Sequence, residues 1–377
     1  MPSPAFGRGQ LTQILQRRRS ADLLALRTLR IVRSMSTVHD CLATAAPIAE
    51  ARDVDRARFE RDLLPAAQPV VLRNLIRDWP AARFGRESPE AICQYLIGLD
   101  NGTPVDALLL APEEKGRIFY NAAFDGFNFL RNKLPLARII EQVARYSQFE
   151  RAPAVAAQSA PIRACLPGLL DAHRMPLLDA GVEPRIWLGT AITVPAHCDE
   201  TDNIACVVAG RRRFTLFPPG QIANLYIGPL DFAPTGTPIS LVDFAAPDFE
   251  RYPKFRAACA HALVAELAPG DAIFIPALWW HHVQSLDACN ILVNYWWNGP
   301  ARASDDRDCL LHALLTLRRL PASQRAAWAQ IFQHYVFGDI DAASAHIPAS
   351  RRGVLGEPNA ASRREQLRQL AQRLMAG

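Results

Sequence analysis

Two short stretches constrain this chain more than anything else in it: Pro195-Ala196-His197-Cys198-Asp199-Glu200, and the run from Gly270 to Val283 that ends in Trp279-Trp280-His281-His282-Val283. In an extended strand successive side chains alternate faces, so His197 and Asp199 project the same way. The second stretch ends an apolar strand on paired histidines, His281 and His282, of which alternation lets only one look inward. Two imidazoles and one carboxylate then occupy one face of an octahedral ion and leave the opposite positions open, as in non-haem Fe(II) oxygenases. Zinc more often takes a closed tetrahedral shell, or an open one of three histidines or two histidines and a glutamate. The candidate ligands are therefore His197, Asp199 and one of the pair His281 and His282.

A His-x-Asp alone occurs by chance in many chains. Here it has a strand pattern on each side, a Gly210-Arg211 turn into Arg213-Phe214-Thr215-Leu216-Phe217, and a tryptophan-flanked histidine after a Pro269-Gly270-Asp271 turn. The tryptophans Trp279, Trp280, Trp296 and Trp297 are read as core or rim packing.

These residues, with Leu188-Gly189, Asn203, Pro218-Pro219, Leu225-Tyr226, Ile275-Pro276 and Val293-Asn294-Tyr295-Trp296-Trp297, resemble the cupin-like Jumonji-C hydroxylases, and within them the group similar to the asparaginyl hydroxylase that inhibits the hypoxia-inducible factor. Pro69 to Leu75 with Asp78-Trp79-Pro80 looks like that family's opening strand. The resemblance implies a mainly β fold with α elements: a double-stranded β-helix, or jelly-roll, with N-terminal helices and a C-terminal helical appendage. It implies Fe(II) held by His197, Asp199 and His281 as the catalytic residues, 2-oxoglutarate as cosubstrate and O2, with succinate and carbon dioxide released as a protein side chain or small molecule is hydroxylated.

The resemblance also implies a cosubstrate pocket. Of Arg211, Arg212 and Arg213, Arg212 matches the position of the cation for the distal carboxylate, where guanidinium makes a two-point clamp. Asn203 and Asn294 carry over as pocket residues, and Gln158 keeps its place. Ala156 stands where relatives often carry an aromatic hydroxyl. Val194 replaces another hydroxyl, with Thr193 the nearest substitute. Those two departures motivate a second reading, a metal-binding jelly-roll that acts as a catalytically weak regulatory or binding protein. A cupin isomerase or dioxygenase working on a small metabolite without 2-oxoglutarate is a third; it usually needs further His or Glu ligands, and Glu200 should face away from Asp199.

Composition sets the outer bounds. A chain of 377 residues, half of them apolar, can bury a sizeable core. The net charge of +5, from 42 basic and 37 acidic residues, gives no strong nucleic-acid signal. Eight cysteines without a C-x-x-C pair or a disulfide-like rhythm fit a reducing, cytoplasmic setting. No apolar run is long enough to span a membrane. Residues 1–34 form an arginine-rich extension with apolar residues at roughly helical spacing, read as disordered or loosely helical.

The remaining elements follow local rules. Residues 35–300 are assigned to the jelly-roll domain. A helix is expected from Asp53 to Leu64, capped by Asp53 or Asp55 and ended by Pro65. Ser88-Pro89-Glu90 should open another, through Ile97, and Leu136 to Tyr146 a third. Strands are expected at Val70–Arg73, Val105–Leu110, Arg117–Tyr120 and 153–159, and the Pro-rich insert between the two metal stretches should rim the pocket mouth. In 301–377, helices around Leu310–Leu317, after Pro321 and from Arg364 to Leu374 present enough apolar surface to predict a homodimer contact.

Overall fold

The structure, a computed structural model, describes residues 41–149, 151–297, 306–356 and 360–376. The basic extension 1–34 lies outside them. The chain divides into two units, residues 1–297 and 298–377.

In the first unit the strands, in chain order, are Ala46–Pro47 (β1), Ala49–Arg52 (β2), Val70–Arg73 (β3), Pro104–Leu110 (β4), Phe129–Pro135 (β5), Ala154–Pro161 (β6), Pro184–Gly189 (β7), Thr193–His197 (β8), Asp202–Ala209 (β9), Arg212–Phe217 (β10), Leu263–Leu267 (β11), Ala272–Ile275 (β12), Trp280–Ser285 (β13) and Asn290–Trp297 (β14). They form a five-stranded sheet, β1-β11-β10-β13-β8, and a nine-stranded sheet, β2-β3-β12-β9-β14-β7-β6-β4-β5. Pairing is antiparallel except for β1 with β11 and β2 with β3. This is the jelly-roll the resemblance implies.

Period-2 alternation sorts each strand between two cores. In β9, Ala205 and Val207 face the space between the sheets, where they meet Phe214, Leu216, Ile273 and Val283. Ile204, Cys206 and Val208 of the same strand face outward into a second core of helices. That double burial is why β9 is apolar along most of its length. Helix Pro80–Glu87 lies so close to it that a Cβ at Gly85 would collide with the Val208 carbonyl.

Helix Pro89–Leu99 begins as its residues dictate: Ser88 Oγ accepts the Ala91 N–H at 3.0 Å, and Pro89 occupies the first turn, where its missing N–H costs nothing. Helix Leu136–Tyr146 buries Leu136, Ile139, Ile140 and Val143 on one stripe. Two expectations change. Asp55 does cap the first helix, by accepting the Arg58 N–H at 2.8 Å, but Pro65 does not end it. A π-helical turn over Phe59–Leu63 lets the Leu64 N–H reach back to Phe59 O, and the helix runs on to Ala66 before Ala67 turns left-handed at φ 48°. Arg117–Tyr120 makes only isolated bridges, to Thr193 and Phe127, and β4 pairs instead with β5, which the sequence reading did not include.

Part of the insert covers the outer face of the small sheet. Leu225, Val242 and Phe255 pack there on Phe217 and Trp280, and the Ser240 N–H donates to Ala196 O of β8 at 2.7 Å. Cys41 is disulfide-bonded to Cys259, 218 residues away. This corrects the expectation of unpaired cysteines, because a bond made by tertiary contact leaves no spacing signal, and the cysteines no longer argue for a reducing compartment.

The second unit is helical: Asp306–Thr316, Ala322–Phe332, a π-helical turn at Gln333–Phe337, Ile340–Ser344 and Ala360–Ala376. Trp328, Ile331, Tyr335 and Phe337 are exposed. No helix among the described residues is long and apolar enough to cross a membrane.

Candidate metal centre and cosubstrate pocket

Residues on the inner faces of the two sheets build the site. On the small sheet His281 of β13 lies opposite His197 of β8, ring centroids 4.2 Å apart. Asp199 follows just beyond the end of β8, with Oδ2 3.6 Å from His281 Nε2. One ligand atom from each of the three lies within 4.8 Å of the others.

Their tautomers are set by the backbone. His197 Nδ1 contacts Pro195 O at 2.9 Å and His281 Nδ1 contacts Trp279 O at 3.1 Å. A carbonyl only accepts, so each Nδ1 carries the hydrogen and each Nε2 keeps its lone pair for a metal. Burial, and then neighbouring His281, push the His197 pKa down to about 4, which keeps that ring neutral. The donor set fits an octahedral divalent ion with open positions, the requirement for Fe(II).

The large sheet holds the carboxylate. Trp296 Nε1 donates to Asp199 Oδ2 at 2.9 Å, and Asn203 Nδ2 donates to the same oxygen at 3.3 Å. Behind them Asn294 Nδ2 donates to Asn203 Oδ1 at 3.3 Å, and Trp187 Nε1 donates to Asn294 Oδ1 at 2.8 Å. Asn203 and Asn294, expected in the cosubstrate pocket, thus form a relay that orients Asp199. Trp296, read from sequence as packing, is part of the site. The signal was present: Asn294 and Trp296 are two residues apart and so share a face.

At the other end of the same inner face is Arg212. The three arginines separate by face and partner: Arg211 pairs with Asp287 at 2.9 Å and Arg213 with Glu266 at the surface, while Arg212 turns inward. Arg212 is 7 % exposed and its Nε has no hydrogen-bond partner. Burial lowers its pKa to about 10, so it remains a cation at neutral pH. It shares a small cavity of about 20 Å³ with Ala156, Gln158, Gly189, Val194 and Ser285.

Thr193 is not in that wall, and the reason is a β-bulge. Across β13 and β8, His281 pairs with His197 but Val283 with Val194, so one extra residue on β8 breaks the alternation. Val194 consequently faces inward with His197, and Thr193 shares the outer face with Gln284. The sequence expectation for Thr193 is corrected accordingly. His282 also faces outward, stacked on Phe244 at 4.5 Å.

The model of the cupin-like domain matches residues 56–303. Among curated proteins, the chain is 34% identical over 156 residues to JmjC domain-containing protein F of Dictyostelium discoideum, covering 35% of this chain and 33% of that protein. It is 28% identical over 286 residues to the human bifunctional peptidase and (3S)-lysyl hydroxylase JMJD7, covering 68% of this chain and 85% of that protein. It is 25% identical over 282 residues to the zebrafish (Danio rerio) tRNA wybutosine-synthesizing protein 5, covering 68% and 77%. The matches to JmjC protein F and to human HSPB1-associated protein 1 span only 33% and 24% of those longer relatives. With the match running through every core strand from β3 to β14, the chain belongs to the cupin-like domain family, and its relatives include one named for a JmjC domain and one named as a lysyl hydroxylase.

Proposed function

We propose that this protein is an Fe(II)- and 2-oxoglutarate-dependent dioxygenase that hydroxylates a protein side chain or small molecule. The overall change is R–H, 2-oxoglutarate and O2 to R–OH, succinate and CO2. The observation that carries it is Arg212: a buried guanidinium without an acid partner among the described residues, on the same inner face as three metal ligands. An uncompensated buried charge costs several kcal/mol, and a dicarboxylate spanning metal and cation relieves that cost. Fe(II), when bound by His197, Asp199 and His281, supplies the redox chemistry that couples O2 to decarboxylation and hydroxylation. The chain's own part is to present two neutral Nε2 atoms, fix the carboxylate through Trp296 and Asn203, and bind the far end of the organic acid at Arg212. Gln158 lines that end, beside Arg212.

For the primary substrate we favour a protein side chain. Two relatives aligned over 68% of this chain are named for a lysyl side chain and for wybutosine in tRNA, and a net charge of only +5 favours the former. Asparagine is the side chain the sequence resemblance implies. The test is Fe(II)-dependent succinate formation from 2-oxoglutarate, with a mass gain of one oxygen sought in proteins of a treated lysate. Succinate formation that persisted in Asp199→Ala would refute the assignment.

A second reading keeps the metal and drops the turnover. The absence of a side-chain hydroxyl at Ala156 and Val194 favours it, and Fe(II)-loaded protein that bound but never consumed 2-oxoglutarate would establish it. The exposed Trp328, Ile331 and Tyr335 of the helical unit support a homodimer formed there. A monomeric mass by light scattering at micromolar concentration would reject the dimer.

A further inference from the structure

The two segments that carry Asp199 and His281 are also joined through their backbones. Asp199 lies in the turn between β8 and β9, and His281 follows the turn between β12 and β13. Hydrogen bonds tie these turns together at two points. The Leu278 N–H donates to Asp199 O at 2.7 Å, and the Ala277 N–H donates to Asp202 Oδ1 at 2.9 Å. Within the second turn the Trp279 N–H donates to Pro276 O at 3.2 Å, and Trp279 O is the carbonyl that takes the His281 Nδ1 hydrogen. From the Asp202 carboxylate, contacts thus run through Ala277 and Trp279 to the imidazole of a metal ligand.

The turn is strained. Leu278 sits at φ 66° with its side chain 45 % exposed. A non-glycine residue in the left-handed region persists only where its surroundings over-determine it. Side-chain packing does little of that for a half-exposed leucine, whereas the bonds made by the Ala277 and Leu278 N–H groups hold the backbone directly. A carboxylate is the stronger acceptor for such a bond, being charged. Asp202 is the first residue of β9, one before Asn203, whose amide donates to the Asp199 carboxylate. Neighbours on a strand face opposite ways, so Asn203 supports the Asp199 side chain while Asp202 supports the turn that leads to His281. We infer that Asp202 is a positioning residue for the metal centre: it holds the Pro276–Trp279 turn against the Asp199 loop and so sets how Asp199 and His281 are placed relative to each other. This rests on the metal-centre reading above and extends it to a residue outside the ligand set.

The test is equilibrium dialysis of the full-length protein with Mn(II), together with the visible spectrum of its Co(II)-loaded form. Asp202→Ala should lower Mn(II) affinity by about 10-fold, the loss typical when a group supporting a ligand is removed, and should shift the Co(II) bands. Asp202→Asn keeps an oxygen for the Ala277 N–H and should stay within about 3-fold of wild type. Melting separates positioning from simple stability. At a fixed Mn(II) concentration Asp202→Ala should shrink the rise in melting temperature that the metal gives, whereas a structural role alone would lower the metal-free and metal-loaded proteins equally. Should the alanine variant not fold, Asp202→Ser, whose oxygen sits one bond nearer the backbone, takes its place with the same expectations. Mn(II) affinity within about 2-fold of wild type and an unchanged Co(II) spectrum in Asp202→Ala would overturn the positioning role and leave the metal centre standing. A loss in Asp202→Asn as large as in Asp202→Ala would also overturn it. No binding of Mn(II) by the wild-type protein would instead overturn the metal-centre reading itself.

Discussion

His281 and His282 are neighbours on one strand and meet opposite environments. His281 faces the interior, its Nδ1 committed to the Trp279 carbonyl and its Nε2 near Asp199. His282 faces outward against the Phe244 ring, with Nδ1 buried and unpartnered, and burial pushes its pKa down to about 3. The chemistry of the side chain is identical. The face decides whether it is a ligand or packing, and the same division separates Arg212 from Arg211 and Arg213, and Val194 from Thr193.

That division can be broken in order of severity. On the inner face, Asp199→Ala should lower metal affinity by more than about 100-fold, since removing a ligand exceeds the effect of removing its support; equilibrium dialysis with Mn(II) measures it. Arg212→Ala should weaken 2-oxoglutarate by about 100-fold, the loss expected when one partner of a buried charge pair is deleted, while metal binding stays intact. Trp296→Phe should keep the ring in place, remove the donor to Asp199 and lower metal affinity by about 10-fold, with a matching change in the Co(II) visible spectrum. Outer-face Thr193→Val should alter cosubstrate affinity by no more than about 2-fold. A large effect of Thr193→Val with a small one of Arg212→Ala would invert the comparison.

A further lever lies away from the site. His173 Nδ1 donates to Leu169 O at 2.6 Å and its Nε2 accepts the Ala81 N–H at 2.9 Å, in the first turn of helix Pro80–Glu87. Burial lowers its pKa. A depressed folded-state pKa means that this contribution is present above the unfolded value of about 6.5 and is lost as pH falls below it. The melting temperature of the metal-free protein should therefore fall below that pH, and less steeply in His173→Gln.

How far the sequence could be read follows from the same physics. The motif placed the triad because alternation acts over two residues and the His-x-Asp spacing is itself local. The motif picked Arg212 by its match to the family's cationic position, since alternation alone leaves one or two of Arg211, Arg212 and Arg213 free to face inward. It lost Thr193 to a bulge, which a period-2 reading cannot register, and it lost Trp296 because aromatic residues at a strand end look like packing until their partner is known. Cys41–Cys259, the π-turn before Pro65 and the pairing of β5 with β4 all depend on contacts made after the chain is folded. Gly85 and Gly189 mark close approaches whose reason only the neighbouring backbone reveals.

The most direct measurement is anaerobic titration of Fe(II)-loaded protein with 2-oxoglutarate, followed by visible absorption. A weak charge-transfer band near roughly 500 nm should grow to saturation, as chelation of such a centre by a 2-oxo acid gives, at far higher ligand concentration in Arg212→Ala and not at all in Asp199→Ala. Fe(II) bound with no band at any concentration, or a band that survives Asp199→Ala, would contradict the account.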